Sequence, residues 1–162
     1  MSEQKAPQKP AWTWLWLSLV VIAIDQFSKY LVNTTLPYNK PLVLLPFFNF
    51  TLRYNAGAAF GFLGSENGWQ VLLLMAVTII VVCGLIVWLV RTPRSDWLTA
   101  SALTLILGGA CGNLIDRIQL GYVVDFLDFH IGAWQFATFN LADTAICIGA
   151  FFLIIGMMFK RS

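Results

Sequence analysis

Charge is scarce in this sequence. Only 11% of its 162 residues are Asp, Glu, Lys or Arg, where a soluble domain carries about 25%. Apolar residues make up 59% and aromatics 15%. A soluble chain of this length has no interior large enough to hide that much apolar surface, so lipid is the expected solvent. The net charge is only +2 and no basic, aromatic-interleaved patch occurs, so nucleic acid is not an expected partner. The three cysteines, Cys83, Cys111 and Cys147, lie inside apolar runs with no Cys-x-x-Cys. They are expected to be buried small apolar side chains, without a disulfide or zinc role. Histidine is almost missing: His130 stands alone, and it reads as an interfacial residue. One Ser-x-x-Lys, Ser2-Glu3-Gln4-Lys5, falls in the tail before the first apolar run, and no Gly-x-Ser-x-Gly is present, so a serine nucleophile has no support. Clusters of carboxylates or histidines at helical spacing are also lacking, so neither a metal site nor a cofactor is expected.

What the chain does have is long apolar runs. Four of them, approximately Trp12–Val32, Trp69–Val90, Trp97–Ile115 and Phe139–Phe159, are each long enough to cross a bilayer at about 20 residues. Trp12, Trp14, Trp16, Trp69, Trp88 and Trp97 sit at or near their ends, as an aromatic belt requires. Lys5 and Lys9, then Arg91 and Arg94, then Lys160 and Arg161 fall on one side of a four-span chain. By the positive-inside tendency that side is the cytoplasm. Both termini are then cytoplasmic, and residues 33–68 and 116–138 face outward. The first run resembles a signal peptide in its flanking lysines. No small-residue cleavage site follows it, however, and Asp25 and Lys29 interrupt its end, so it is expected to stay as the first helix.

The outward segment at about 36–66 is a candidate β-element. Pro37, Pro41 and Pro46 argue against a helix. Phe48, Phe50, Leu52 and Tyr54 alternate with Asn49, Thr51 and Arg53, the two-residue period of a strand with one apolar face. Gly57, Gly61 and Gly64 follow as turn positions. The expected architecture is an α-helical integral membrane protein, a single domain over residues 1–162. Four transmembrane helices carry a small β-sheet on the outer membrane surface.

Ionisable residues inside such helices cost about 2.5–3.5 kcal/mol each on insertion scales and usually mark function. Their depth can be counted at about 1.5 Å per residue. Asp25 lies about 20 Å past Trp12, in the outer half of a core about 30 Å thick. Asn113 and Asp116 lie about 24 and 28 Å past Trp97. Asp143 lies only about 6 Å past Phe139 on a helix running the other way. With Asp125 in the outward segment, five polar positions from four segments converge on one level. Asp143, beside Asn140 in a first helical turn, also reads as an N-terminal cap. Asp116 and Arg117 also read as a structural ion pair. Among catalytic chemistries, a carboxylate pair remains. Two aspartates held close share one proton, so that one activates water while the other protonates a carbonyl oxygen.

Five stretches then resemble one family. They are Asp25-Gln26-Phe27-Ser28-Lys29, Asn55-Ala56-Gly57-Ala58-Ala59-Phe60, Gly108 through Arg117 (GGACGNLIDR), Val123-Val124-Asp125-Phe126, and Phe139-Asn140-Leu141-Ala142-Asp143. Together, and in this order, they resemble the motifs of the lipoprotein signal peptidases (signal peptidase II). The resemblance implies a bacterial inner-membrane aspartyl endopeptidase. Such an enzyme removes the signal peptide from diacylglyceryl-modified prolipoproteins, cutting just before the lipid-bearing cysteine. It implies globomycin-type cyclic peptides as inhibitors, and it maps the catalytic pair onto Asp125 and Asp143. Asp128 is the local competitor, outside the Val-Val-Asp-Phe match. Asp25, Lys29, Asn55, Gly57, Asn113, Asp116, Arg117 and Asn140 become supporting or substrate-binding positions.

Physical roles for these positions can be stated as expectations. Asn55, Asn113 and Asn140 are expected to hold substrate backbone or orient the aspartates. Arg117 is expected to pair with Asp25 or Asp116, or to bind lipid phosphate. Gly108 and Gly112 form a small-xxx-small face for close helix packing. Phe60 and Phe62 are placed to cover the substrate, whose acyl chains would lie in membrane lipid beside the bundle. Two rivals stand beside this reading. A small proton-coupled transporter or channel subunit would favour acids near mid-membrane and a repeated half. A thiol oxidoreductase would need cysteine pairs in the outer loops.

Overall fold

The computed structural model describes residues 10–57, 68–132 and 134–159; Lys5, Lys9, Phe60, Gly61, Phe62, Gly64, Lys160 and Arg161 lie outside these. A 3₁₀ turn at Ala11–Trp14 leads into α1 (Leu15–Thr35). Strands β1 (Leu42–Leu45) and β2 (Phe48–Asn55) follow, then α2 (Trp69–Arg91), α3 (Trp97–Leu120), β3 (Val123–Ile131), β4 (Trp134–Gln135) and α4 (Leu141–Phe159). The four helices are all long and apolar enough to cross a membrane. Pro10 forms a bridge with Pro93, and Ala11 N–H donates to Thr92 O at 3.0 Å. The start of the first span is thereby tied to the link between α2 and α3.

Helix α3 is the centre of the bundle. Of its most apolar stretch 61% is buried, against none for α2, which buries only Gln70 and Leu89. Small residues let the neighbours approach α3. A Cβ on Gly108 would stand 2.8 Å from Val21 Cβ on α1, and one on Gly112 would stand 2.6 Å from Asp25 Oδ2. The expected small-xxx-small face thus faces α1. Gly109 and Gly149 do the same for α3 against α4, where a Cβ would meet the Ala142 and Ala102 carbonyls. Ser18 Oγ donates to Thr104 O at 2.7 Å across the α1–α3 contact. Asp96 caps α3 through Thr99 N–H at 3.3 Å, and Gly121, at φ 78°, ends it in the left-handed conformation that favours glycine.

The helix ends differ from the apolar runs. Helix α3 continues past Ile115 for another turn and more, so Asp116 and Arg117 are helical. Helix α4 starts after Phe139, because Phe139 N–H donates to Leu127 O at 3.0 Å and its carbonyl accepts Leu127 N–H at 2.8 Å.

The sheet is antiparallel in the order β1-β2-β3-β4, so half its strands come from the segment after α3. Its burial corrects the expected single apolar face. In β2 the buried residues are Asn49, Thr51 and Leu52, while Phe48 and Phe50 are half-buried and Tyr54 is exposed. The register shifts between Phe50 and Arg53, and a bulge breaks any two-residue period that spans it. Thr51 Oγ1 donates to Asp128 Oδ2 at 2.8 Å, so the polar set turns inward. The cysteines also depart from expectation: Cys83 and Cys147 are exposed and Cys111 is partly so, all free thiols. On a lipid-facing helix a small apolar side chain has no need of a protein interior.

Two glycine substitutions test the bundle contact. Gly109→Ala is expected to destabilise by about 1–3 kcal/mol through overpacking, read as a lower thermal midpoint in detergent. Gly84→Ala, where a Cβ meets nothing within 4 Å, is expected to be neutral or stabilising by up to about 1 kcal/mol. Equal midpoints for the two would contradict the assigned contact.

Candidate active site

Lys29 sits on α1, four residues after Asp25, so both side chains share a helix face. Its ammonium lies 2.8 Å from Asp25 Oδ2 and 2.9 Å from Asp116 Oδ2, and it donates to Asn113 Oδ1 at 2.9 Å. An ammonium has three N–H donors, and all three find acceptors here. The group is almost fully enclosed, with Lys29 3%, Asp25 0% and Asp116 3% exposed. The remaining carboxylate positions are also met. Ala142 N–H on α4 donates to Asp25 Oδ1 at 2.9 Å, and Val124 N–H on β3 donates to Asp116 Oδ2 at 3.0 Å. Gln26 Nε2 donates to Asp116 Oδ1 at 2.8 Å and to Gly112 O at 3.1 Å. The expectation that Arg117 pairs with Asp25 or Asp116 is therefore corrected, because Lys29 reaches both. Gln26 was not singled out from the sequence, although it stands between two residues that were.

Above this cluster lie Asp125 and Asp143, each held by asparagines. Asn140 Nδ2 donates to Asp125 Oδ1 at 2.8 Å, and Asn55 Nδ2 donates to Asp125 Oδ2 at 3.1 Å. Asn113 Nδ2 donates to Asp143 Oδ1 at 2.8 Å. Asp143 Oδ2 accepts from Asn140 N–H at 3.2 Å, while Asn140 Oδ1 accepts from Asp143 N–H at 2.9 Å. That reciprocal pair is a capping box at the start of α4. The cap reading and the functional reading of Asp143 thus describe one side chain, since one oxygen caps the helix and the other faces Asn113. The bridge between Phe139 and Leu127 holds this first turn of α4 against β3, and so brings Asn140 to Asp125.

Both aspartates line one cavity of about 770 Å³ together with Asn55, Asn113 and Arg117. The rest of its wall is largely apolar, including Phe129, Phe136, Phe139, Ile146 and Cys147. Phe129 and Phe139 stack at 5.7 Å. The Asp125 carboxyl is pushed up to about 7, first by burial and then by the nearby charge of Asp143, against the hydrogen bonds from Asn55 and Asn140. Arg117 reaches Asn113 O and Gly57 O only at 3.4 Å, and its Nε has no partner among the described residues. Gly57 N–H donates to Asn55 Oδ1 at 3.0 Å, fixing that amide. Asp128 is 1% exposed, is bonded to Thr51 and is not part of the cavity wall. His130 pairs with Gln135 across β3 and β4 and lines a separate, smaller apolar pocket.

Comparison with known proteins bears on this geometry. The profile of the family described as signal peptidase (SPase) II matches residues 17–159. A lipoprotein signal peptidase of Coxiella burnetii is 56% identical over 154 residues, 95% of this chain and 94% of that protein. One of Hydrogenovibrio crunogenus is 48% identical over 143 residues, covering 88% of this chain and 83% of that protein. A solved bacterial membrane enzyme superposes with a TM-score of 0.84 at 31% identity, covering 97% of this chain and 95% of that one. A second gives 0.81 at 30% identity, covering 94% and 97%. These matches run from the first helix to the last, and this chain belongs to the signal peptidase II family.

Proposed function

We propose that this multi-pass membrane protease removes the signal peptide from diacylglyceryl-modified prolipoproteins. It cuts just before the lipid-bearing cysteine, by aspartyl chemistry on Asp125 and Asp143. The observation that carries the reading is the pair itself. Two carboxyls, each accepting two N–H bonds, face one mainly apolar cavity at the end of a membrane-crossing bundle. Such a cavity suits a signal helix and a lipidated residue arriving from the bilayer. The relatives named above carry the substrate in their own name. Nothing in the comparisons supports a transporter, and Asp25, Asp116, Asp125 and Asp143 gather at one end of the bundle.

Position separates the two roles. Asp143 lies in the first turn of α4, where the helix dipole favours negative charge, and serves as the base. Asp125 lies on a strand with its carboxyl pushed up to about 7, and serves as the acid. Asp143 takes a proton from water as the oxygen bonds to the scissile carbonyl carbon. Asp125 gives its proton to the carbonyl oxygen. As the tetrahedral carbon collapses, the C–N bond breaks, the amine takes the proton held by Asp143, and the hydroxyl proton returns to Asp125. Asp25, Lys29 and Asp116 support this pair without touching the peptide, and globomycin-type cyclic peptides compete for the same cavity. The ends of α1 and α4 remote from the site, with Arg91 and Arg94, face the cytoplasm. The site then opens near the periplasmic face of the inner membrane.

Purified protein in detergent with a diacylated precursor tests this. Asp125→Asn and Asp143→Asn are each expected to lower the cleavage rate by about 10²–10⁴-fold with the protein still folded in detergent, whereas Asp128→Asn cleaves. Parent-level cleavage by either of the first two would refute the pair. Equal cleavage of an unlipidated precursor would refute the substrate.

The pH dependence follows from the acid. Asp125 acts protonated, and that form is lost as pH rises through about 7. The rate is expected to fall about tenfold per pH unit above that value. A rate still rising at pH 9 would exclude Asp125 as the acid.

A further inference from the structure

Three asparagines present their amide NH₂ to the two aspartates, and in each a group of fixed polarity dictates which way the amide faces. An asparagine amide accepts at one end and donates at the other. A backbone N–H can only donate. It holds Asn140 Oδ1 through Asp143 N–H at 2.9 Å and Asn55 Oδ1 through Gly57 N–H at 3.0 Å. Asn113 differs. Its Oδ1 faces the Lys29 ammonium at 2.9 Å, and this strict, charged donor is a side chain. Reversing the Asn113 amide would set NH₂ against the ammonium and a carbonyl oxygen against Asp143.

We infer that Lys29 is a positioning residue for hydrolysis, acting through Asn113 on Asp143. Resting on the peptidase reading above, this gives Lys29 a second task beyond pairing Asp25 and Asp116. Its charge fixes the Asn113 amide so that Nδ2 meets Asp143 Oδ1 at 2.8 Å. Asp143 Oδ1 is thereby held by Asn113 while Oδ2 accepts from Asn140 N–H, which fixes the carboxyl at the cavity wall. Asn140 Nδ2 also donates to Asn113 Oδ1, at 3.1 Å, but it serves Asp125 and Val124 O as well. Two neutral N–H groups spread over three acceptors orient less strongly than a charged ammonium with one N–H for each of its three acceptors. Of the three amides, Asn113 alone takes its polarity from a replaceable side chain.

A double-mutant cycle on the full-length protein tests this with the diacylated precursor. Lys29→Met is expected to lower kcat by about 10²-fold, the scale of a misplaced catalytic group, with KM changed little. In an Asn113→Ala background the same substitution is expected to cost less than about threefold, because the link it acts through is gone. Lys29→Met also strands two buried carboxylates. Lys29→Met is therefore also combined with Asp25→Asn and Asp116→Asn, a triple variant in which no charge of the cluster is left over, and thermal midpoints are compared. Losses that multiply independently overturn the inference, as does a return to parental kcat in the Asp25→Asn/Asp116→Asn/Lys29→Met chain. A parent that fails to cleave the precursor would refute the peptidase reading instead.

Discussion

A buried ammonium between two carboxylates is the interaction on which the rest of the molecule depends. Charge in a low-dielectric interior costs several kcal/mol per ion unless geometry and hydrogen bonds compensate it. Lys29 and Asp25 on α1 therefore pack well only against Asp116 and Asn113 on α3. The two carboxylates then reach outward to N–H groups at the start of α4 and of β3. One ion cluster thus sets the relative placement of two helices, a helix start and a strand start. Gly112 makes it feasible, since any side chain there would occupy the place of Asp25 Oδ2.

The two aspartates stand where a membrane helix meets a sheet, and neither element supplies both. Asp125 comes from β3, and Asp143 from the first turn of α4. The bridge between Leu127 and Phe139 joins them before the helix begins. Asparagine suits such a junction: it carries donors and an acceptor without charge, so it can orient carboxylates without neutralising them.

Much of this was legible in the sequence, for identifiable reasons. Four helices followed from apolar length, and the convergence of Asp25, Asn113, Asp116 and Asp143 followed from counting depth along them. Depth says nothing about azimuth, and this is why the partner of Asp116 was misread. Arg117 is its neighbour in sequence but points to Gly57 and Asn113, whereas Lys29 arrives from another helix. The strand in β2 was visible, but its buried side was not. Reading Phe48, Phe50, Leu52 and Tyr54 as one apolar face assumes a solvent-facing reverse side and an unbroken register. Here a bulge shifts the register and Asp128 draws Thr51 inward. The strand after α3 was passed over: Leu127, Phe129 and Ile131 do alternate with Asp128 and His130, but Val123, Val124 and Phe126 around Asp125 break the period over its first half.

The capping box at Asn140 and Asp143 also has a meaning in time. A chain is made and inserted from its N-terminus, and α4 is the last of the four helices. Until its first turn winds, Asp143 has neither its cap nor its neighbour, Asp125 lacks the Asn140 amide, and the cavity lacks the wall that Ile146 and Cys147 supply. The joint arrangement of Asp125 and Asp143 thus arrives with the final helix.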